Sequence, residues 1–200
     1  MSKQMWDNSF SDDDFIYGRE PNQFIRQHYS VLPEGGRIAC FAEGEGRNAI
    51  FLAEQGYEVT TYDQSEIGLE KTKQLAEERG VSVRTVQKDL TVEKVDPYLY
   101  EGAIMVFGHV PKDDQAFLIK SMIDSVKLGG YIMFEVYSDD QLPYRSGGPK
   151  TEEMLYNPSD VLDWINDYKC LHFYYGEADR VEGKRHLGLG HVIQVIIQKI

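Results

Sequence analysis

The sequence predicts an α/β fold, a largely parallel sheet with helices on both faces, closed near the C-terminus by an antiparallel hairpin. Three features of the chain predict it. Residues 37–63 read strand, glycine turn, helix, strand, acid. Short apolar runs at 103–107 and 131–137 flank a segment with helical spacing. Beyond residue 157 that rhythm gives way to two strand-like runs, 170–175 and 191–198, with no helical period between them.

The first twenty residues are acidic and aromatic, with Trp6, Phe10, Phe15 and Tyr17 around Asp12-Asp13-Asp14. So many rings predict an arm folded back over the body. Pro21 suits the first turn of a helix to about Leu32, with Phe24, Ile25 and Tyr29 on one face. Ile38 to Ala42 form the run expected of a strand buried on both faces. After Glu43-Gly44-Glu45-Gly46, apolar Ala49, Ile50, Leu52 and Ala53 have helical spacing, and Gly56 stands where such a helix stops. A second strand, 57–62, leads into Asp63. Ser65 is the expected N-cap of a helix to Arg79, with Gly80 as its stop. A third strand, 81–86, leads to Asp89-Leu90, and the fourth, 103–107, to Gly108-His109-Val110-Pro111. Asp113 or Asp114 is expected to cap a helix through Val126, striped by Phe117, Leu118, Met122 and Val126 and ended by Leu128-Gly129-Gly130. The fifth strand is 131–137. A last helix, 158–168, is expected to turn Val161, Leu162, Trp164 and Ile165 inward.

Two hundred residues suit one domain, 1–200, in which 1–33 form an arm and helix covering the site. A formal charge of −12 argues against a nucleic-acid partner, which requires a basic face. Cys40 and Cys170 have neither metal-type nor redox-type spacing. No apolar run approaches a membrane span and the N-terminus lacks a signal core, so a cytoplasmic protein is expected, as monomer or homodimer.

The glycine turn points to a nucleotide-like ligand. Gly44 and Gly46 let a ligand lie against main chain. The helix beginning near Arg47 offers unpaired N–H groups to a carboxylate or phosphate. Asp63, at a strand's carboxyl end, is placed to accept from two ribose hydroxyls. Gly44-Glu-Gly46-Arg-Asn-Ala49 also fits G-x-G-x-x-A, so an NAD(P)-dependent oxidoreductase is an alternative, though the chain leaves little room for a second catalytic domain.

The stretch AEGEGRNAIFLAEQGYEVTTYDQS, together with Lys88-Asp89-Leu90, IMVFGHVP, KLGGYIMFE, GHVIQVIIQK and the N-terminal YGREPN, resembles class I S-adenosylmethionine-dependent methyltransferases. The likeness is strongest to the small bacterial type grouped with tellurite-resistance methyltransferases. It implies a Rossmann-like seven-stranded sheet of order 3-2-1-4-5-7-6 with strand 7 antiparallel. It also implies S-adenosylmethionine as cofactor and S-adenosylhomocysteine as product. By correspondence, the turn of Ala42, Glu43, Gly44, Gly46, Arg47 and Asn48 holds the methionine part. Asp63, with Gln64 beside it, takes the ribose, Asp89 and Leu90 the adenine, and Phe107 lies at the same edge. Cys40 replaces the family's usual acid and Ala42 its first loop glycine; Glu43 is therefore expected to face the ligand's ammonium, with Glu45 as a substitute.

Methyl transfer is an in-line displacement on an activated sulfonium, so the protein must mainly align a small-molecule acceptor and exclude water. No metal is required. His109 and Tyr17 are the candidates beside the methyl group. Arg145, Arg180, Arg185 and His186 fall in late loops, where they roof the acceptor or are simply solvated, and the glycine-bearing run from Ser146 to Lys150 suits a lid. A non-catalytic S-adenosylmethionine-binding protein is the other alternative.

Overall fold

The computed structural model describes residues 3–200. Its strands are β1 (Arg37–Phe41), β2 (Glu58–Asp63), β3 (Val83–Gln87), β4 (Tyr100–Val106), β5 (Val126–Tyr137), β6 (Lys169–Glu182) and β7 (His186–Gln198). They form one sheet of order β3-β2-β1-β4-β5-β7-β6, in which β7 alone runs antiparallel to its neighbours. The helices are α1 (Lys3–Phe10), α2 (Gln23–His28), α3 (Arg47–Glu54), α4 (Glu66–Arg79), α5 (Lys112–Ser125) and α6 (Pro158–Ile165).

The period of two along the strands splits the core into two layers. Ala39, Phe41, Ala103, Met105 and Phe134 pack with Leu118 and Met122 of α5 and Val161 of α6. Ile38, Cys40, Ile104 and Met133 face the other way, onto Phe24 and Ile25 of α2 and Ala49 and Leu52 of α3. Each central strand is thus apolar on both sides, which is why it reads as an unbroken hydrophobic run.

Several expected ends shift for identifiable reasons. Asn22, not Pro21, begins α2: its side chain accepts from the Ile25 amide, and the run to Val31 finishes as a 3-10 turn. Neither Asp113 nor Asp114 caps α5; Pro111 holds the cap position and both aspartates sit in the first turn, favourably against the helix dipole. Phe117 is only partly buried, and α5 ends one residue short of Val126, which starts β5; Leu128, Gly129 and Gly130 therefore lie inside a strand. Leu162 turns outward, 46% exposed, and α6 stops at Ile165, with Trp164 edge-on to Tyr156 at the core margin. Ser65 and Gly80 bound α4 as expected, the one accepting from the Gly68 amide and the other left-handed at φ 68°. The C-terminal hairpin is much longer than the two short strands expected: its pairing runs without a loop to Glu182 opposite His186.

β1 and β4 are adjacent and parallel, and the chain leaves them in opposite directions, so a crevice opens beyond their carboxyl ends. The first residue past each strand is a left-handed non-glycine, Ala42 (φ 49°) and Phe107 (φ 54°). Such backbone costs about 1–3 kcal/mol and persists only where surroundings enforce it. Gly46, at φ 90°, caps α3, and a Cβ there would lie 2.6 Å from Thr72 Cγ2 on α4. Gly46→Ala is expected to cost about 2 kcal/mol or more, lowering Tm by roughly 4–8 °C in thermal unfolding; an unchanged Tm would mean that α4 yields freely.

Candidate active site

A cavity open to solvent lies in that crevice. Its wall brings together Tyr17, Ala42, Glu43, Gly44, Arg47, Asn48, Asp63, Gln64, Asp89, Leu90, Phe107 and His109. Of the residues expected at the site, Gly46 stays behind the wall as the cap of α3.

Three carboxylates shape the glycine turn. Glu43 Oε1 accepts from the amides of Asn48 (2.7 Å) and Ala49 (2.9 Å), while Oε2 has a single long contact with Asn48 Nδ2 (3.4 Å). The first turn of α3, expected to offer its N–H groups to a ligand's carboxylate or phosphate, is therefore filled by the chain's own acid. Asp63 Oδ2 accepts from the Gly44 amide and Oδ1 from the Ser65 amide, both at 2.8 Å, tying the turn to the end of β2 and the start of α4. Glu45 looks away from the ligand side. It accepts from the Ile16 amide (2.9 Å) and pairs with Lys71 (2.8 Å), whose ammonium also reaches the Asp14 carbonyl. The arm is thereby fastened over the turn, with Phe10 3.0 Å from where a Gly44 Cβ would be. Asp89 Oδ1 accepts from the Thr91 amide and hydroxyl, closing its own turn at the cavity rim.

On the other side of the crevice the rings gather. Phe107 stacks on Tyr137 (centroids 4.3 Å) and meets His186 edge-on (4.6 Å); Tyr17 lies 4.7 Å from His186. His109 is buried beside them, and its Nε2 has no hydrogen-bond partner. Burial, with His186 nearby, pushes His109 down to about 3, so it is a neutral imidazole at physiological pH. Burial raises the Tyr17 phenol above its ordinary value. Among the described residues, no group of three or more His, Cys, Asp or Glu side chains is arranged to hold a metal ion.

Arg180 and His186 are neither solvated nor in loops. Arg180 is 3% exposed and pairs with Glu135, which also accepts from Asn22 Nδ2 (2.8 Å) and Gln194. Asn22 Nδ2 reaches Glu182 as well (2.9 Å), and Arg47 Nη2 holds the other oxygen of Glu182 at 2.6 Å. Burial opposes ionisation of Glu182, but Arg47, His186 and Arg180 hold it at about 2. Arg145 and Arg185 are exposed as expected of loop residues. The glycine loop after Ser146 is packed down: Gly147 (φ 140°) would set a Cβ 2.6 Å from His186 Cδ2 and 3.1 Å from Tyr137 Oη. Asn22 and Glu135 fall at the ends of stretches that carry the resemblance but had no role assigned to them, and Glu182 and Tyr137 carry no local motif. The one available signal for Arg180, Glu182 and His186 was the alternation in Asp179-Arg-Val-Glu182 and His186-Leu-Gly-Leu-Gly190, a strand period in a stretch read as loop.

Glu43 titrates unusually. Burial lifts it from 4.5 to about 7, against the pull of Ala49, Arg47 and Asn48. Its folded form keeps a proton that the unfolded chain has lost, so this contribution to stability is full below about pH 4.5 and is lost as pH rises through 7. Glu43→Gln is expected to gain on the parent between pH 5 and pH 8, by at most ~3 kcal/mol, in urea unfolding at the two pH values. A constant difference would mean that the α3 amides, not burial, govern the charge.

Comparison with known proteins accords with this geometry. Residues 38–130 match the family model described as "Methyltransferase domain". The probable S-adenosyl-L-methionine-dependent methyltransferase TehB of Haemophilus influenzae is 22% identical over 132 residues, 65% of this chain and 45% of that protein. The uncharacterized methyltransferase YbaJ of Bacillus subtilis is 25% identical over 169 residues, 78% of this chain and 66% of that one. The chain thus spans about half the length of TehB and two thirds of YbaJ. The crystal structure of Haemophilus influenzae TehB superposes with a TM-score of 0.71 at 15% identity, covering 99% of this chain and 67% of that one. Residues 38–130, a little under half of the chain, are thus similar to the methyltransferase domain family, and the whole chain shares the fold of the TehB structure.

Proposed function

We propose that the chain transfers a methyl group from S-adenosylmethionine to a small-molecule acceptor. The observation that carries this reading is the cavity past β1 and β4, walled by the glycine turn and Asp63 inside the matched region. The wall suits the ligand chemically. Its acids, Glu43, Asp63 and Asp89, outnumber its cations, Arg47 and Lys88, of which Arg47 is already paired with Glu182, and this favours a compound with a sulfonium and an ammonium. Gly44, at φ 61° and without a side chain, keeps the cavity wall low at the turn.

When bound, S-adenosylmethionine supplies a methyl group on an electrophilic sulfonium. Asp63 presents its carboxylate to the ribose edge while bracing Gly44. Gln64 stands next to it, and Asp89 and Leu90 line the adenine end. Glu43 Oε2, the less engaged oxygen, faces the ammonium, with Ala42, Arg47 and Asn48 around it. Phe107 and Tyr17 wall off water beside the reacting centre. His109, neutral and unpaired, orients the acceptor through a hydrogen bond instead of removing its proton, since so weak a base falls far from working pH. Of the segment 1–33, residues 3–33 serve the same domain as a cover, which limits the acceptor to a small molecule, and residues 1 and 2 lie outside the described residues. Two free cysteines support a reducing, cytoplasmic setting. Among the described residues no helix is long and apolar enough to cross a membrane.

Calorimetry is expected to show S-adenosylmethionine and S-adenosylhomocysteine binding with micromolar affinity and NAD not binding. NAD binding in their place would favour an oxidoreductase, and binding without turnover over a broad acceptor panel a non-catalytic binder. Asp63→Asn is expected to weaken S-adenosylhomocysteine at least tenfold, about 1.4 kcal/mol, and Glu43→Gln to weaken it by several-fold; unchanged affinities in both would remove the turn from the site.

A further inference from the structure

The sheet order puts Asp63 and Asp89, at the ends of β2 and β3, on one side of the crevice. Phe107 and His109 after β4, Tyr137 on β5 and His186 on β7 lie on the other. That second side has no part assigned to it by the ligand-binding turn, and it holds buried polar atoms that nothing satisfies. His109 Nε2, His186 Nδ1 and Tyr137 Oη are all enclosed without a hydrogen-bond partner. Each such group costs about 1–3 kcal/mol, and three in one cluster call for an occupant or a function.

His186 is only 3% exposed yet lines the cavity. Its Nδ1 lies 3.9 Å from Glu182 Oε2, close enough for charge to act but longer than a hydrogen bond, and is enclosed without a partner. Glu182 is itself immobilised by Arg47 and Asn22. A fixed carboxylate behind an imidazole whose other edge meets a cavity is the arrangement that makes a histidine a proton acceptor.

Resting on the methyl-transfer reading, we propose that His186, positioned by Glu182, accepts the proton of the methyl acceptor, and that this acceptor is a small planar aromatic compound bearing a hydroxyl group. The acceptor's O–H bond breaks with its proton passing to His186 Nε2. Its oxygen electron pair forms the bond to the methyl carbon as the carbon–sulfur bond breaks, that pair staying on sulfur as a neutral thioether. Glu182 stabilises the imidazolium that results.

The walls set the class. Tyr17 and Phe107 flank the imidazole at 4.7 and 4.6 Å, a slot faced by rings in which a flat aromatic gains offset or edge contacts. An anionic acceptor is disfavoured, because the nearby guanidiniums of Arg47 and Arg180 are already paired with Glu182 and Glu135. An aliphatic alcohol holds its proton too strongly for a histidine whose basicity burial has reduced. The groups facing the imidazole are Glu182 and Arg180 from β6, Arg47 from α3, Tyr17 from the arm, Tyr137 from β5 and His109 after β4. Of these only Glu182 favours its protonated form.

The test uses the full chain saturated with S-adenosylhomocysteine, and 4-nitrophenol and 7-hydroxycoumarin as probes whose ionised forms absorb differently from the neutral ones. Below each probe's own pKa, the complex is expected to show the phenolate band, and the nitrogen-15 spectrum of the histidines to show one imidazole becoming imidazolium. His186→Gln is expected to retain S-adenosylhomocysteine affinity within about twofold while losing both signals. With S-adenosylmethionine, its methyl transfer to the probes should fall at least about 100-fold. Glu182→Asp should restore a share of the band that Glu182→Gln abolishes. If S-adenosylhomocysteine binds but neither probe changes ionisation in the parent protein, or if His186→Gln keeps the band, this inference is overturned and the cofactor reading stands. If S-adenosylhomocysteine itself does not bind, both are overturned.

Discussion

The acid that caps α3 from within the glycine turn is the constraint on which the rest of the site depends. A helix start leaves four amides without partners, and here two of them are met by Glu43, four residues before the helix begins. With the amides satisfied from inside, the turn keeps one shape without a ligand. Asp63 then fastens the same turn to β2 and α4 through the Gly44 and Ser65 amides. Cys40, where the resemblance implies an acid, is fully buried in the layer facing α2 and α3. Ala42 is left to adopt the left-handed backbone that a glycine would take without strain.

A second device holds the opposite wall. Glu135 at the heart of β5, Arg180 and Glu182 on β6, Arg47 on α3 and Asn22 at the head of α2 form one buried chain of charge-assisted bonds. Buried ion pairs of this kind contribute little net stability, because desolvation offsets most of their attraction. Their effect is positional. Asn22 can donate to both carboxylates only if α2, β5 and β6 stand in one arrangement, so the network sets where the end of the hairpin, and with it His186, comes to rest.

Much of this was legible in the sequence, and the boundary is physical. Residues 37–63 announce strand, turn, helix and acid through local chemistry: apolar runs, glycines, a periodic face. Ser65 and Gly80 declare the ends of α4 by the backbone demands of their own positions. The hairpin order was available from resemblance and is observed. Glu182, Arg180 and His186 were not legible, because their meaning comes from partners distant in the chain, such as Glu135, 45 residues from Arg180, and Asn22, 160 from Glu182, and no local pattern encodes that. The charged, glycine-bearing composition of the hairpin tip imitates a loop, although its period of two is that of a strand. Leu162 misleads in the other direction: an apolar residue at helical spacing that faces water because α6 is short and covers the core with one edge only.

The arm crosses the hairpin where Gly18 and Gly183 touch: a Cβ on Gly183 would fall 2.4 Å from the Gly18 nitrogen. On either side of that crossing, Ile16 is tied by its amide to Glu45 and by its carbonyl to the Lys184 amide. A shift of Ile16 must therefore loosen the glycine turn and the hairpin tip together, so the arm couples two parts of the chain that lie more than 130 residues apart in sequence.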